Sequence, residues 1–205
     1  MKIKVKTFVM GAVGVNGYVV SGEDGKACII DCDAPSQKML DYIDEKELEI
    51  THLLLTHGHG DHIGAVEEIK QKYGCEVVAC KKEESILLDP KLNFSMMMGA
   101  SMTVTADRFV SDGDTIAVGE MEFKVIETPG HTVGSVCYIV QDNMFSGDTL
   151  FEGSCGRTDL PTGDTATIMK SLKRLKALEE NYVVYPGHGP YTSLEIERQS
   201  NPYMS

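Results

Sequence analysis

The chain has 205 residues, 42% of them hydrophobic and 24% charged, with a formal net charge of -12; this suits one sizeable core and a single domain spanning 1–205. The acidic balance, with no cluster of Lys and Arg, excludes nucleic acid as a partner, because a polyanion is bound by neutralising its phosphates. No apolar stretch approaches the roughly 20 residues that span a bilayer, so no membrane association is expected, and six cysteines without a secretory signal predict reduced thiols in the cytoplasm.

In chain order, Lys2, Lys4 and Lys6 precede an apolar run at 8–15 that superficially looks like a signal peptide. Ile3, Val5 and Thr7 instead alternate with the lysines at strand period, and Gly11 and Gly14 interrupt the run. A first strand from Ile3 to Val9 follows, and Asn16-Gly17 predicts a turn into a second at Tyr18 to Ser21. Further strands are expected at Ala27 to Ile30, Ile50 to Leu55, Glu76 to Ala79, Phe123 to Glu127, Ser135 to Val140 and Tyr182 to Tyr185. Three amphipathic helices lie between and after them: one opening at Pro35 with Met39, Leu40 and Ile43 behind it, one from Ile63 to Tyr73, and one from Thr165 to Leu178 capped by Asp164. Strands mixed with such helices predict an α/β layered architecture in which helices cover sheets that pack on each other. Residues Leu92 to Thr105 carry neither period and read either as a lip over a pocket or as gap-filling methionines. Cys28 with Cys32 and Cys75 with Cys80 lack the C-x-x-C spacing of common zinc modules and read as buried thiols.

The chemistry concentrates in Thr56-His57-Gly58-His59-Gly60-Asp61-His62, directly after an apolar strand. Residues two apart in extended backbone point to the same side, so His57 and His59 can converge on one ion. Asp61 and His62, at the entry to the next helix, can aim at a neighbouring point. Two more histidines share one context: Thr128-Pro129-Gly130-His131 and Tyr185-Pro186-Gly187-His188 each follow a strand through a Pro-Gly turn. Asp148 follows the short run 144–147. Loops at strand ends of a rigid sheet commonly deliver ligands to a site. Five of six histidines are thereby assigned, leaving His52, inside a strand, as a core residue or a support behind a ligand.

In order and interval, the Thr-His-x-His-x-Asp-His segment with His131, Asp148 and His188 closely resembles the metallo-β-lactamase-fold hydrolase superfamily. Ser146-Gly147-Asp148-Thr149-Leu150-Phe151, then Gly156-Arg157-Thr158-Asp159, and Pro186-Gly187-His188-Gly189-Pro190 look like its short glyoxalase II-like, hydroxyacylglutathione hydrolase-type members. The resemblance implies a four-layer αββα sandwich of two mixed sheets with helices on the outer faces. It implies two divalent cations, with zinc the first expectation and iron or manganese the alternatives. His57, His59 and His131 would hold the first and Asp61, His62 and His188 the second. Asp148 would bridge them, making Asp61 and Asp148 the catalytic carboxylates. Asp31 matches a family aspartate that orients a ligating imidazole through its other nitrogen; its other reading is a turn aspartate. Arg157 is either a substrate-anion contact or half of a surface ion pair with Asp159, and Cys155 either lines the mouth or is a buried inert thiol.

A bound metal lowers the pKa of water from about 15.7 to roughly 7, which supplies hydroxide at neutral pH without a serine or cysteine. The resemblance therefore implies hydrolysis of a small-molecule acyl substrate, favouring a 2-hydroxyacyl thioester such as S-D-lactoylglutathione. A thiolate with a pKa of about 8.5 also leaves without a strong general acid. Full-length glyoxalase II enzymes carry a C-terminal helical region that contacts glutathione, and the short stretch after His188 leaves the thiol carrier open. Persulfide dioxygenases share these motifs and use one iron on the positions of His57, His131 and Asp148. Lactone or β-lactam hydrolysis is a further alternative by the same chemistry.

Overall fold

Alternation along the strands decides the layering. Val19, Ile29, Leu53 and Val77 face one way while their neighbours Val20, Ile30, Leu54 and Val78 face the other, and all eight are buried. A sheet apolar on both faces must be covered on both. The computed structural model, which describes residues 2–34 and 36–204, meets that requirement with three apolar interfaces between four layers.

The first sheet runs in sequence order through β1 (Lys4–Met10), β2 (Val15–Ser21), β3 (Lys26–Ile30), β4 (Glu49–Leu54), β5 (Glu76–Cys80) and β6 (Arg108–Val110). The chain then forms β7 (Thr115–Val118), β8 (Met121–Glu127), β9 (Val136–Val140), β10 (Asn143–Gly147), a small ribbon of β11 (Leu150–Phe151) and β12 (Ser154–Cys155), β13 (Val183–Pro186) and β14 (Thr192–Ser193). The second sheet is ordered β14-β13-β10-β9-β8-β7. Both sheets are mixed: β3 to β6 are parallel neighbours, as are β10 and β13, and the remaining pairs are antiparallel.

Helices α1 (Gln37–Glu45), α2 (Gly60–Ile63), α3 (Val66–Tyr73), α4 (Glu84–Leu87), α5 (Thr165–Lys176) and α6 (Leu194–Ser200) complete the chain. Met39 and Ile43 of α1, with Val66 and Ile69 of α3, cover the outer face of the first sheet. Leu172 and Leu175 of α5, with Leu194 of α6, cover Ile139, Met144 and Val184 of the second. Between the sheets, Tyr18, Ile30 and Leu54 meet Phe123, Tyr138 and Phe145. The expected αββα order is thus present. Asp164 caps α5 as expected, its carboxylate accepting from Thr167 N–H at 2.7 Å.

Several local expectations are corrected. Asn16-Gly17 is not a turn but lies inside β2, because the preceding reversal falls at residues 11–14. Pro35 lies outside the described residues, and α1 is capped by Ser36, whose hydroxyl accepts from Met39 N–H. The helix expected from Ile63 to Tyr73 is broken at Gly64-Ala65. There the Cys32 N–H takes the His62 carbonyl at 2.9 Å and the Cys32 carbonyl takes Ala65 N–H at 3.0 Å, so tertiary bonds replace helical ones. His52 neither joins the core nor backs a ligand: it sits half-buried in β4, 3.3 Å from Glu76. The short strands β6, β7 and β14 and helix α6 carried too few periodic residues to stand out.

One buried bond ties the second sheet to the end of β4: Tyr138 Oη donates to the Leu55 carbonyl at 2.8 Å, and Tyr138 is fully buried. Tyr138→Phe orphans that carbonyl and is expected to cost about 1–3 kcal/mol, read as a lower urea midpoint at unchanged slope.

Candidate metal centre

Strand direction brings the chemistry to one edge. Because β3, β4 and β5 are parallel, Asp31, the 56–62 segment and Glu83 all follow carboxyl ends on the same side. In the second sheet β8, β10 and β13 also share a direction, since β9 is antiparallel to both β8 and β10. Their ends deliver His131, Asp148 and His188.

All seven expected site residues meet there. His57, His59 and His131 can each turn a nitrogen to within 4.8 Å of the others, as can ligand atoms of Asp61, His62 and His188. His59 Nδ1 stands 2.9 Å from His131 Nε2. Asp148 lies between the groups: Oδ1 is 3.5 Å from His62 Nε2, while Oδ2 is 3.5 Å from His131 Nε2 and 3.7 Å from His188 Nε2. Asp61 Oδ2 closes the second group at 3.2 Å from His188 Nε2.

Local backbone makes these approaches feasible. A Cβ on Gly187 would sit 2.1 Å from Asp148 Oδ1, so a larger residue would push the His188 loop out of the site. Gly130, at φ 132°, has no room for a side chain against the first turn of α5, where a Cβ would fall 2.3 Å from Ile168 N.

Supporting bonds set the rings. Asp31, at φ 52°, accepts from Thr56 N–H at 2.8 Å and the Thr56 hydroxyl at 2.6 Å, and stands 2.9 Å from His62 Nδ1. That leaves His62 Nε2 facing the cluster. His131 Nδ1 is held 2.8 Å from the Arg157 carbonyl. Arg157 therefore acts through its backbone, while its exposed guanidinium forms a two-pronged pair with Asp159 at 2.6 and 2.7 Å. Asn16 anchors the His188 loop by donating to the Pro186 and Gly189 carbonyls. Sequence reading had no signal for Asn16, for the Arg157 carbonyl or for Glu83, whose buried carboxylate joins the 57–59 and 131–134 loops. The bonds of all three involve main-chain atoms distant in sequence from their partners.

The electrostatics suit cations. Burial, then neighbouring histidines, holds the His57 imidazole well below its usual pKa and pushes His59 down to about 3, so both rings are neutral donors. Burial also opposes charge on His62, yet Asp61, Asp31 and Asp148 outweigh it and raise that ring to about 10, the mark of strongly negative potential. His57 Nε2, His59 Nε2, His62 Nε2 and Asp148 Oδ1 are buried with no hydrogen-bond partner. Buried polar atoms are normally paired, and a metal fits these.

The cluster forms the floor of a cavity of about 490 Å³ with apolar walls from Val13, Phe94, Met98, Phe151 and Leu160. Phe94 and Met98 come from the 92–105 segment, which is therefore a lip. Met96 and Met97 are 52% and 75% exposed, against the gap-filling reading. Cys155 lines the mouth half-buried, its thiol pushed up by burial, and all six thiols are free.

Residues 10–188 match the family model described as the metallo-beta-lactamase superfamily. The chain is 32% identical to "Hydroxyacylglutathione hydrolase GloC" of Haemophilus influenzae over 93% of this chain and 92% of that one. It superposes on "BLEG-1 B3 metallo-beta-lactamase" with a TM-score of 0.92, at 35% identity, covering 98% of this chain and all (100%) of the other. "TTHA1623 in a di-iron-bound form" gives a TM-score of 0.86 at 32% identity, covering 97% and 100%.

Asp31→Asn removes the carboxylate that orients His62. Divalent-metal affinity is expected to fall about 10- to 100-fold, measured by calorimetric titration of chelator-treated protein.

Proposed function

The chain belongs to the metallo-β-lactamase superfamily and is a metal-dependent hydrolase; we propose that its substrate is a 2-hydroxyacyl thioester of the S-D-lactoylglutathione type. The observation that carries this reading is the pair of ligand groups joined by Asp148 at the floor of one open cavity. His57, His59 and His131 would hold one cation, Asp61, His62 and His188 a second, with Asp148 shared. Zinc is the metal proposed, and this imidazole and carboxylate set also suits iron and manganese. Such cations activate a water and polarise an acyl carbonyl.

The chain's own groups then sort the substrates. Asp61 and Asp148 border the cavity and can accept hydrogen bonds from a water, orienting it towards a carbonyl above them. Burial opposes ionisation of Asp61, but His62 and His188 hold its carboxyl below the usual range, so it serves as an acceptor rather than a proton store. Among the described residues lining the cavity, the groups outside the cluster that carry a proton are Ser154, the Cys155 thiol and Arg157, and Arg157 is engaged by Asp159. None is a strong general acid. An amine leaving group needs such an acid and a thiolate does not, which favours a thioester. Likeness to hydroxyacylglutathione hydrolase GloC supports the acyl part of the reading. A reducing, cytoplasmic setting belongs to the same reading, supported by six free thiols. No helix among the described residues is long and apolar enough to cross a membrane.

Likeness to the B3 metallo-beta-lactamase favours lactam cleavage as the second reading. A panel of thioester, lactone and lactam substrates on zinc-loaded protein separates the two. Thioester turnover should dominate, vanish on chelation and fall at least about 100-fold in Asp148→Asn, or ~3 kcal/mol of transition-state stabilisation. Turnover confined to lactams would overturn the thioester assignment. One iron per chain with oxygen uptake on a persulfide would overturn hydrolysis itself.

A further inference from the structure

Glu83 ends a 3-10 turn after β5 and is 1% exposed. Its Oε2 accepts from Gly58 N–H at 2.7 Å, and its Oε1 accepts from Gly134 N–H and the Thr132 hydroxyl, each at 2.7 Å. Every partner is a donor, so the group is used as a carboxylate. Burial pushes its pKa up and these three bonds pull it back. Gly58 lies between His57 and His59, and Thr132 follows His131. The two loops belong to different sheets, and one carboxylate joins them.

The fit depends on bare backbone at both contacts. A Cβ on Gly58 would approach Glu83 Oε2 to 3.0 Å, and one on Gly134 would approach Glu83 Oε1 to 2.9 Å. Thr132 is fixed in turn by Ser135, whose Oγ accepts from Thr132 N–H at 3.1 Å. A buried carboxylate left unpaired is costly, so the loops cannot separate without exposing that cost. Asp31 performs a comparable task beside His62, on the other side of the cluster.

We propose that Glu83 is a positioning residue for the subsite of His57, His59 and His131: by holding Gly58 against Thr132 and Gly134 it sets the opening between His59 and His131. The inference rests on the metal reading of the cluster. Glu83 itself touches neither metal nor substrate. Its effect is selective, because its bonds reach Gly58, Thr132 and Gly134 but not Asp61, His62 or His188, of which His62 is held by Asp31 and the His188 loop by Asn16.

Glu83→Gln preserves volume but turns its amide N–H₂ towards the backbone N–H of either Gly58 or Gly134. Thr132→Val removes a single donor and guards against a first variant that fails to fold. Metal-free full-length protein is titrated with Zn²⁺ by calorimetry and with Co²⁺ by visible absorption, and its thermal midpoint is measured without metal. Wild type is expected to bind two equivalents. In Glu83→Gln one binding step should weaken at least about tenfold, in line with other residues that support metal ligands, while the second keeps its wild-type affinity. Thr132→Val should weaken the same step by a smaller factor. Two unaltered steps in both variants would overturn the proposal, as would an equal loss in both steps accompanied by a lower metal-free midpoint. Failure of wild type to bind any metal would instead sink the metal reading beneath it.

Discussion

A buried nitrogen or carboxylate oxygen without a partner costs about 1–3 kcal/mol, and this protein gathers four such atoms in one cluster. Everything around the cluster opposes their natural escape. Asp31 and the Arg157 carbonyl hold the far sides of His62 and His131, the Thr56 hydroxyl stands 3.2 Å from His57 Nδ1, and His59 Nδ1 is set against His131. Burial keeps His57 and His59 neutral, so those two rings do not escape by taking up protons, whereas the carboxylates around His62 favour positive charge there. An arrangement with so many open lone pairs is stabilised by a positive charge at its centre, and the three carboxylates around His62 provide the matching potential.

The two sheets divide the work unequally. The first contributes four chemistry-bearing residues within one short segment after β4, together with two carboxylates, Asp31 and Glu83, that brace the backbone. The second contributes one residue from each of three strand ends, and main-chain contacts steer two of them: His131 by the Arg157 carbonyl and by Ser171 of α5, whose hydroxyl donates to the Pro129 carbonyl, and the His188 loop by Asn16. Two side chains from the first sheet's half, Asn16 and Glu83, thus organise backbone in the second.

This division explains what the sequence revealed. The residues that meet at the cluster are rare types with local signatures, a His-x-His-x-Asp-His run and two Pro-Gly-His turns, so they could be read without coordinates. Strand and helix periods pointed to layered sheets covered by helices, and the four-layer order came from the family resemblance; the strand order within each sheet depends on long-range pairing that no local pattern carries. Glu83 and Asn16 left no such trace, because each works on backbone atoms far along the chain, and a single Glu after a strand is unremarkable in a list of residues. Asn16-Gly17 mimicked a turn although Asn16 was needed inside β2 to reach the Pro186 and Gly189 carbonyls. The break at Gly64-Ala65 was hidden for a related reason: helical periodicity continues through it, and only the Cys32 backbone interrupts the bonding.

The residues of the first group, His57, His59 and His131, are contributed by both sheets, and this has a thermodynamic consequence beyond chemistry. A cation bound by all three would favour the native over the unfolded chain through mass action, adding about 1.4 kcal/mol for each tenfold rise of free metal above its dissociation constant. Survival of the folded protein would then track metal supply: in depleted cells it would become a better substrate for proteases before it ever became a poorer enzyme.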